Sequence, residues 1–247
     1  MKLYLFRHGE SRANLQAEEL VTGRASNTPL TSRGEDQARK LGAHFRSTIF
    51  RSIFSSTALR ARSTGLSFPL LSFSGHWSTK KSTAAKLFME QLEQGPQEYS
   101  EHEELEEIDM GEFTGMRRDE VYVEHRLKEI EANPWYFKPP RGESQFDVEQ
   151  RIKDFVDRHI LRLTDSNQTN HQINHYNLQL DKSNNDEEES YAIFGHGLLF
   201  KCFLRFVNDS DPALTWRIRI DNTAFTLLEF QSPSWRLLSL NQCPHLL

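Results

Sequence analysis

Lys2-Leu-Tyr-Leu-Phe-Arg-His-Gly-Glu10 is the stretch on which the reading of this chain turns. Lys2–Phe6 has the pattern of a short strand, and it runs straight into a cation, an imidazole and a glycine. In open α/β sheets ligands bind beyond the carboxyl ends of the strands. There, the Arg7 fork of donors would match phosphate oxygens, and the His8 imidazole could act as nucleophile or acid–base group. Gly9 would let a ligand or another backbone approach closely. A second stretch has the same form: Tyr191–Phe194 (YAIF) reads as a buried strand and ends on Gly195-His196-Gly197. Two parallel, central strands would bring both imidazoles out on one edge of the sheet.

The chain between them alternates apolar runs with helical patterns, which favours an α/β fold with a mostly parallel sheet. Ser32-Arg-Gly-Glu35 reads as a capping box that opens a helix to about Arg46, after a loop over residues 11–30. Arg51–Ser55 and the pair Thr223–Phe230 and Trp235–Leu240 read as strands. Ala84–Gln94, Arg118–Glu131, Ser144–Leu163 and Leu198–Phe206 read as helices. The acidic stretch Glu98–Glu107 reads as partly exposed. Residues 65–82 are ambiguous, and residues 164–189 are too polar to bury much apolar surface. His171 and His175 stand at helical i, i+4 spacing but lack a recognisable third ligand, so no metal is expected.

Bulk composition narrows the classes. A chain of 247 residues with 37% hydrophobic residues can bury a core. The net charge of −5 argues against a general nucleic-acid binder, so an anionic substrate needs a local basic pocket. Two cysteines, Cys202 and Cys243, make neither a disulfide framework nor a cysteine zinc site, which suits a reducing, cytoplasmic setting. The apolar start is too short for a secretory leader, and no run approaches the ~20 apolar residues of a membrane span.

Together the motifs resemble the histidine phosphatase superfamily, whose fold is phosphoglycerate-mutase-like. Arg7-His8-Gly9-Glu10-Ser11 with Asn14 matches its RHGE(S/T)xxN opening, and Pro29-Leu30-Thr31 through Gln37-Ala38 its PLTxxGxxQA segment. Ser55 to Thr64 matches SSPLxRAxxT, Leu105 to Gly115 matches LxExxxGxxxG, and Gly142-Glu143-Ser144 with Arg151 matches GESxxdxxxR. Gly195-His196-Gly197 stands where the family has its second histidine.

The resemblance implies a three-layer α/β/α sandwich, one domain over residues 1–247 with insertions at about 65–82 and 164–189, and one phosphate pocket. It implies no cofactor and no metal. His8 would take the phosphoryl group, Arg7, Arg60 and His196 would surround its oxygens, and Glu107 would donate the proton to the leaving oxygen. Asn14 would hydrogen-bond the phosphate, and Thr22-Gly23 would line the substrate pocket. Arg62 competes with Arg60, and Glu106 and Asp109 compete with Glu107. Glu143 reads as a helix cap, Arg24 and Arg33 as surface charges, and Trp135-Tyr136-Phe137 as either packing or pocket wall. The mutase branch usually carries an arginine- and tryptophan-rich segment after the glutamate; here Asn133–Pro140 (NPWYFKPP) stands instead. That favours a phosphomonoester hydrolase of the broad-specificity branch, acting on a small phosphorylated substrate. The alternatives are mutase-type phosphotransfer and an interaction protein on the same fold.

Overall fold

The computed structural model describes residues 1–25, 27–62, 84–162 and 189–247. Six strands form one sheet: β1 (Lys2–Arg7), β2 (Ser52–Ser56), β3 (Glu98–His102), β4 (Ser190–Gly195), β5 (Phe225–Gln231) and β6 (Ser234–Gln242). Their order is β3-β2-β4-β1-β5-β6. β3, β2, β4 and β1 run parallel, and β5 runs antiparallel to β1 and β6 on either side. The helices are α1 (Arg12–Gln16), α2 (Ser32–His44), α3 (Ala84–Met89), α4 (Arg118–Val121), α5 (Glu124–Ala132), α6 (Gln145–Val156), α7 (Gly197–Val207) and α8 (Leu214–Arg217).

Successive strand side chains point to opposite faces, so a central strand feeds two cores. Leu3 and Leu5 join Phe54, Tyr191 and Ile193 on one face, under Val148, Ile152 and Phe155 of α6 and Leu199, Phe200 and Phe203 of α7. Phe6 joins Ile53, Ala192 and Phe194 on the other, under Ala38 and Leu41 of α2 and Ala85 and Phe88 of α3. The result is the expected α/β sandwich, a mixed but mostly parallel sheet between helical layers. All six residues of β4 are buried, as befits a parallel strand covered on both sides.

Several local readings shift. The cap of α2 is Thr31, one residue early: its backbone is extended and its hydroxyl accepts the Gly34 N–H, so Ser32 and Glu35 form no capping box. The helix read over Arg118–Glu131 breaks in two where Val123 turns extended. α3 stops at Met89, short of Gln94, and α6 passes into a wider π turn over Asp157–Leu161. Part of the acidic stretch is β3, an edge strand whose exposed Glu98 and Glu101 discourage pairing with another chain. Within the presumed loop 11–30, Ser11 and Asn14 form a reciprocal capping box that opens α1. Residues 65–82, 164–188 and the His171/His175 pair lie outside the described residues; Glu189, the last of that second stretch, pairs with Arg51. Among the described residues no helix is long and apolar enough to cross a membrane.

Candidate active site

β1 and β4 pair with Arg7 opposite Gly195, so His8 and His196 leave neighbouring strands side by side. Their rings stand 5.1 Å apart, edge to face. Both are buried, at 3% and 0% exposure. His8 Nδ1 lies 2.7 Å from the Gly9 carbonyl oxygen. A carbonyl only accepts, so Nδ1 carries the proton and Nε2 keeps its lone pair. Arg60 Nε donates to that Nε2 at 3.2 Å, and its terminal nitrogens donate to the carbonyls of Ala25 and Gly23. Arg7 Nη1 donates to the Ile220 carbonyl at 2.6 Å, while its buried Nε has no hydrogen-bond partner among the described residues.

Burial, then the nearby Arg60 and Arg7 charges, push the His8 imidazole well below its ordinary value of 6.5. Burial, then Arg60 and His8, do the same to His196. Both rings are therefore neutral in the folded protein near neutral pH. An unfolded chain protonates them below about 6.5, where the folded protein does not. Folding stability is therefore unaffected by these groups above that range and is lost as pH falls below it, with unfolding taking up about two extra protons. Urea unfolding at a series of pH values between 8 and 5 (about the range histidines titrate) should show this loss. His8→Asn should lower the proton uptake on unfolding by about one; His196 supplies its own share, and His102 and His245, which burial also holds below the ordinary value, supply the rest. A stability independent of pH across the window would contradict the neutral pair.

Glu107 completes the cluster. Its carboxylate accepts the backbone N–H groups of Ile108 at 3.0 Å, Leu198 at 3.1 Å and Leu199 at 3.0 Å. The last two belong to the first turn of α7, directly after His196, and the N–H groups of that turn have no partner within the helix. The competing carboxylates are held elsewhere: Glu106 accepts the Thr57 hydroxyl at 2.6 Å and faces Arg24, and Asp109 accepts the Gly111 N–H. Arg62 reaches Glu101 rather than the histidines.

Other expectations change. Arg24 is no ordinary surface charge: it donates to the Glu107 carbonyl and pairs with Glu106 at 3.2 Å and Glu143 at 3.1 Å. Glu143 does not cap α6, a task shared by Ser144 and Asp147. It bridges Arg24 and Arg151 and accepts the Asp109 N–H. Two cations and two carboxylates thus tie the 22–25 loop to the turn carrying Glu107. Arg33 is the exposed surface charge expected of it. Asn14 Oδ1 receives Ser11 and Asn222, so that end of its amide faces the chain. Gly23 adopts φ +41°, and a Cβ there would strike Met110; Thr22 sits half-buried beside it. Trp135 is packing, buried with Arg205 4.2 Å over its ring, whereas Tyr136 is exposed against Phe146.

Three contributors were not foreseen. Asn222 Nδ2 and the Thr223 N–H both donate to the His8 carbonyl, at 3.1 and 3.2 Å. Thr223 does so with φ +56°, a left-handed conformation that a β-branched residue rarely adopts. Ser56, at the end of β2, meets His196 Nε2 at 2.9 Å.

The model of the histidine phosphatase superfamily, branch 1, matches residues 3–68 and 80–243, and the chain belongs to that family. It is 30% identical over 165 residues to the 2,3-bisphosphoglycerate-dependent phosphoglycerate mutase of Methylorubrum extorquens, over 64% of this chain and 66% of that one. A phosphoglycerate mutase-like protein of Arabidopsis thaliana is 27% identical over 82% of this chain and 64% of its own. The chain thus spans about two thirds of the length of these relatives. The fold matches Entamoeba histolytica phosphoserine phosphatase in complex with 3-phosphoglyceric acid, with TM-score 0.69, 20% identity and 100% and 99% of the two chains covered. It also matches the α-ribazole phosphatase of Shigella flexneri, with TM-score 0.67, 21% identity and 98% and 96% covered.

Proposed function

We propose that this chain hydrolyses small phosphomonoesters through a phosphohistidine on His8. The observation that carries the reading is the His8 ring itself: Nδ1 donates to Gly9, which leaves the Nε2 lone pair beside the Arg60 guanidinium. Nε2 attacks phosphorus as the ester P–O bond breaks, and Glu107 gives its proton to the leaving oxygen. Arg7, Arg60 and His196 meet the charge that develops on the phosphoryl oxygens. Water then attacks phosphorus, Glu107 takes its proton, the P–N bond breaks and phosphate leaves. The acidic rest of the protein makes this basic pocket the place where a phosphate is drawn in.

One observation favours a second reading: curated relatives at 27–30% identity are phosphoglycerate mutases. A mutase hands the phosphoryl group back to its product instead of to water. Incubation with 3-phosphoglycerate, with and without 2,3-bisphosphoglycerate, separates the two. We expect release of inorganic phosphate from members of a panel of sugar phosphates, nucleotides, phosphoamino acids and other phosphorylated metabolites. Isomer formation without phosphate release would establish the mutase instead.

A further inference from the structure

We propose that Ser56 is a positioning residue, holding His196 in the tautomer whose Nδ1 carries the proton, so that His196 offers the phosphoryl group a donor and not a lone pair. The inference rests on the pocket proposed above and adds to it the tautomer and its cause.

His196 has two ring nitrogens and only one of them meets a protein group. Nε2 lies 2.9 Å from the Ser56 hydroxyl. Nδ1 is fully buried and has no hydrogen-bond partner among the described residues. The nitrogen left for a phosphoryl oxygen is therefore Nδ1. A phosphoryl oxygen only accepts, so Nδ1 must carry the proton, and a neutral ring with a proton there accepts at Nε2.

The surroundings of Ser56 supply that donor. Its oxygen already accepts the Ala58 backbone N–H at 3.2 Å. Ser56 is fully buried, and its single hydroxyl proton has one acceptor within reach among the described residues, His196 Nε2. In the opposite tautomer Nε2–H would donate to the hydroxyl. The hydroxyl proton would then be buried without an acceptor, and a bare lone pair would face the phosphoryl oxygens, a doubly unfavourable arrangement. The location of Ser56 follows from the sheet: β2 pairs with β4 through Ser55 and Phe194, so the next residue of β2 lies against the base of His196. His8 is set by its own Gly9 carbonyl and His196 by the neighbouring strand, which gives the two rings opposite tasks, one an acceptor toward phosphorus and one a donor toward oxygen.

The test is NMR of protein carrying 15N-labelled histidine, read without substrate, on wild type, Ser56→Ala and Ser56→Thr. We expect His196 of the wild type to be neutral with Nδ1 protonated. Ser56→Ala should shift the ring toward the Nε2–H form and lower kcat/KM by about tenfold, the worth of one hydrogen bond to the reacting group. Ser56→Thr, which keeps the hydroxyl, should restore both the tautomer and most of the rate. A purely structural serine would lower the melting temperature without moving the ring nitrogens. Nε2 protonation in the wild type, or an unchanged tautomer in Ser56→Ala, overturns the proposal, and the wild-type spectrum decides even where the variant fails to fold. A wild type with the expected tautomer but no turnover on any phosphoester would count against the hydrolase reading and support the tautomer assignment.

Discussion

His8→Asn should abolish turnover, lowering kcat by about 10⁴-fold or more, because it removes the atom to which the phosphoryl group is transferred. Asparagine is the informative replacement. Its amide can still donate to the Gly9 carbonyl that His8 Nδ1 now contacts, so the local hydrogen bond survives while the nucleophilic nitrogen does not. Brief incubation of the wild type with a 32P-labelled phosphoester, followed by denaturation, should trap a protein-bound label that acid removes and alkali does not. The variant should trap none. Substantial residual turnover, or an equal label on the variant, would show that the phosphoryl group goes elsewhere and would end the mechanism proposed here.

Glu107→Gln should have the next largest effect, about 10²–10⁴-fold in kcat, the usual range for loss of a positioned acid. The size of the loss should depend on the leaving group. An alkyl phosphate needs a proton on its departing oxygen and should lose the full amount; a nitrophenyl phosphate leaves as a stable anion and should lose far less. Equal losses on both would remove Glu107 from the proton transfer. The variant also carries a structural cost. The carboxylate accepts Leu198 and Leu199 through separate oxygens, whereas glutamine offers a single oxygen and an NH₂. One of the two N–H groups would then face another donor, an expense of about 1–3 kcal/mol that thermal melting would record. Comparing the two substrates cancels that cost.

The parts legible in the sequence are those where chemistry is packed into contiguous motifs at strand ends. Arg7-His8-Gly9 and Gly195-His196-Gly197 each follow an apolar run, and the sheet places both on one edge through the direct pairing of β1 with β4. Spacing against a family pattern prefers Arg60 over Arg62 and Glu107 over Glu106 and Asp109. Residue type alone leaves them open, and the structure gives the competitors partners of their own: Glu101 for Arg62, Thr57 and Arg24 for Glu106, and the Gly111 N–H for Asp109. Contacts between distant, ordinary residues were not legible. A serine at the end of a strand, an asparagine before another and an arginine in a polar loop have many uses, and nothing near Ser56, Asn222 or Arg24 in the chain announces His196, His8 or Glu143. β3 escaped for a different reason: an edge strand with exposed glutamates lacks the apolar alternation by which a strand is recognised. The break where Val123 turns extended and the stop of α3 at Met89 have no glycine or proline at either point to announce them.

The placing of β1 in the sheet also bears on how the protein folds. Its two neighbours are β4, which starts at Ser190, and β5, which starts at Phe225. The strand with His8 at its end is therefore early in the chain, yet both its edges wait for partners made much later. Such long-range pairing is slow, because a large loop must close before any ladder hydrogen bond compensates for it. During synthesis, helix α2 can form beside a strand that is still unpaired, and Leu3, Leu5 and Phe6 stay open to solvent and to other chains meanwhile. The two histidines come side by side only when β1 pairs with β4, so a chain folded short of that step does not hold them together.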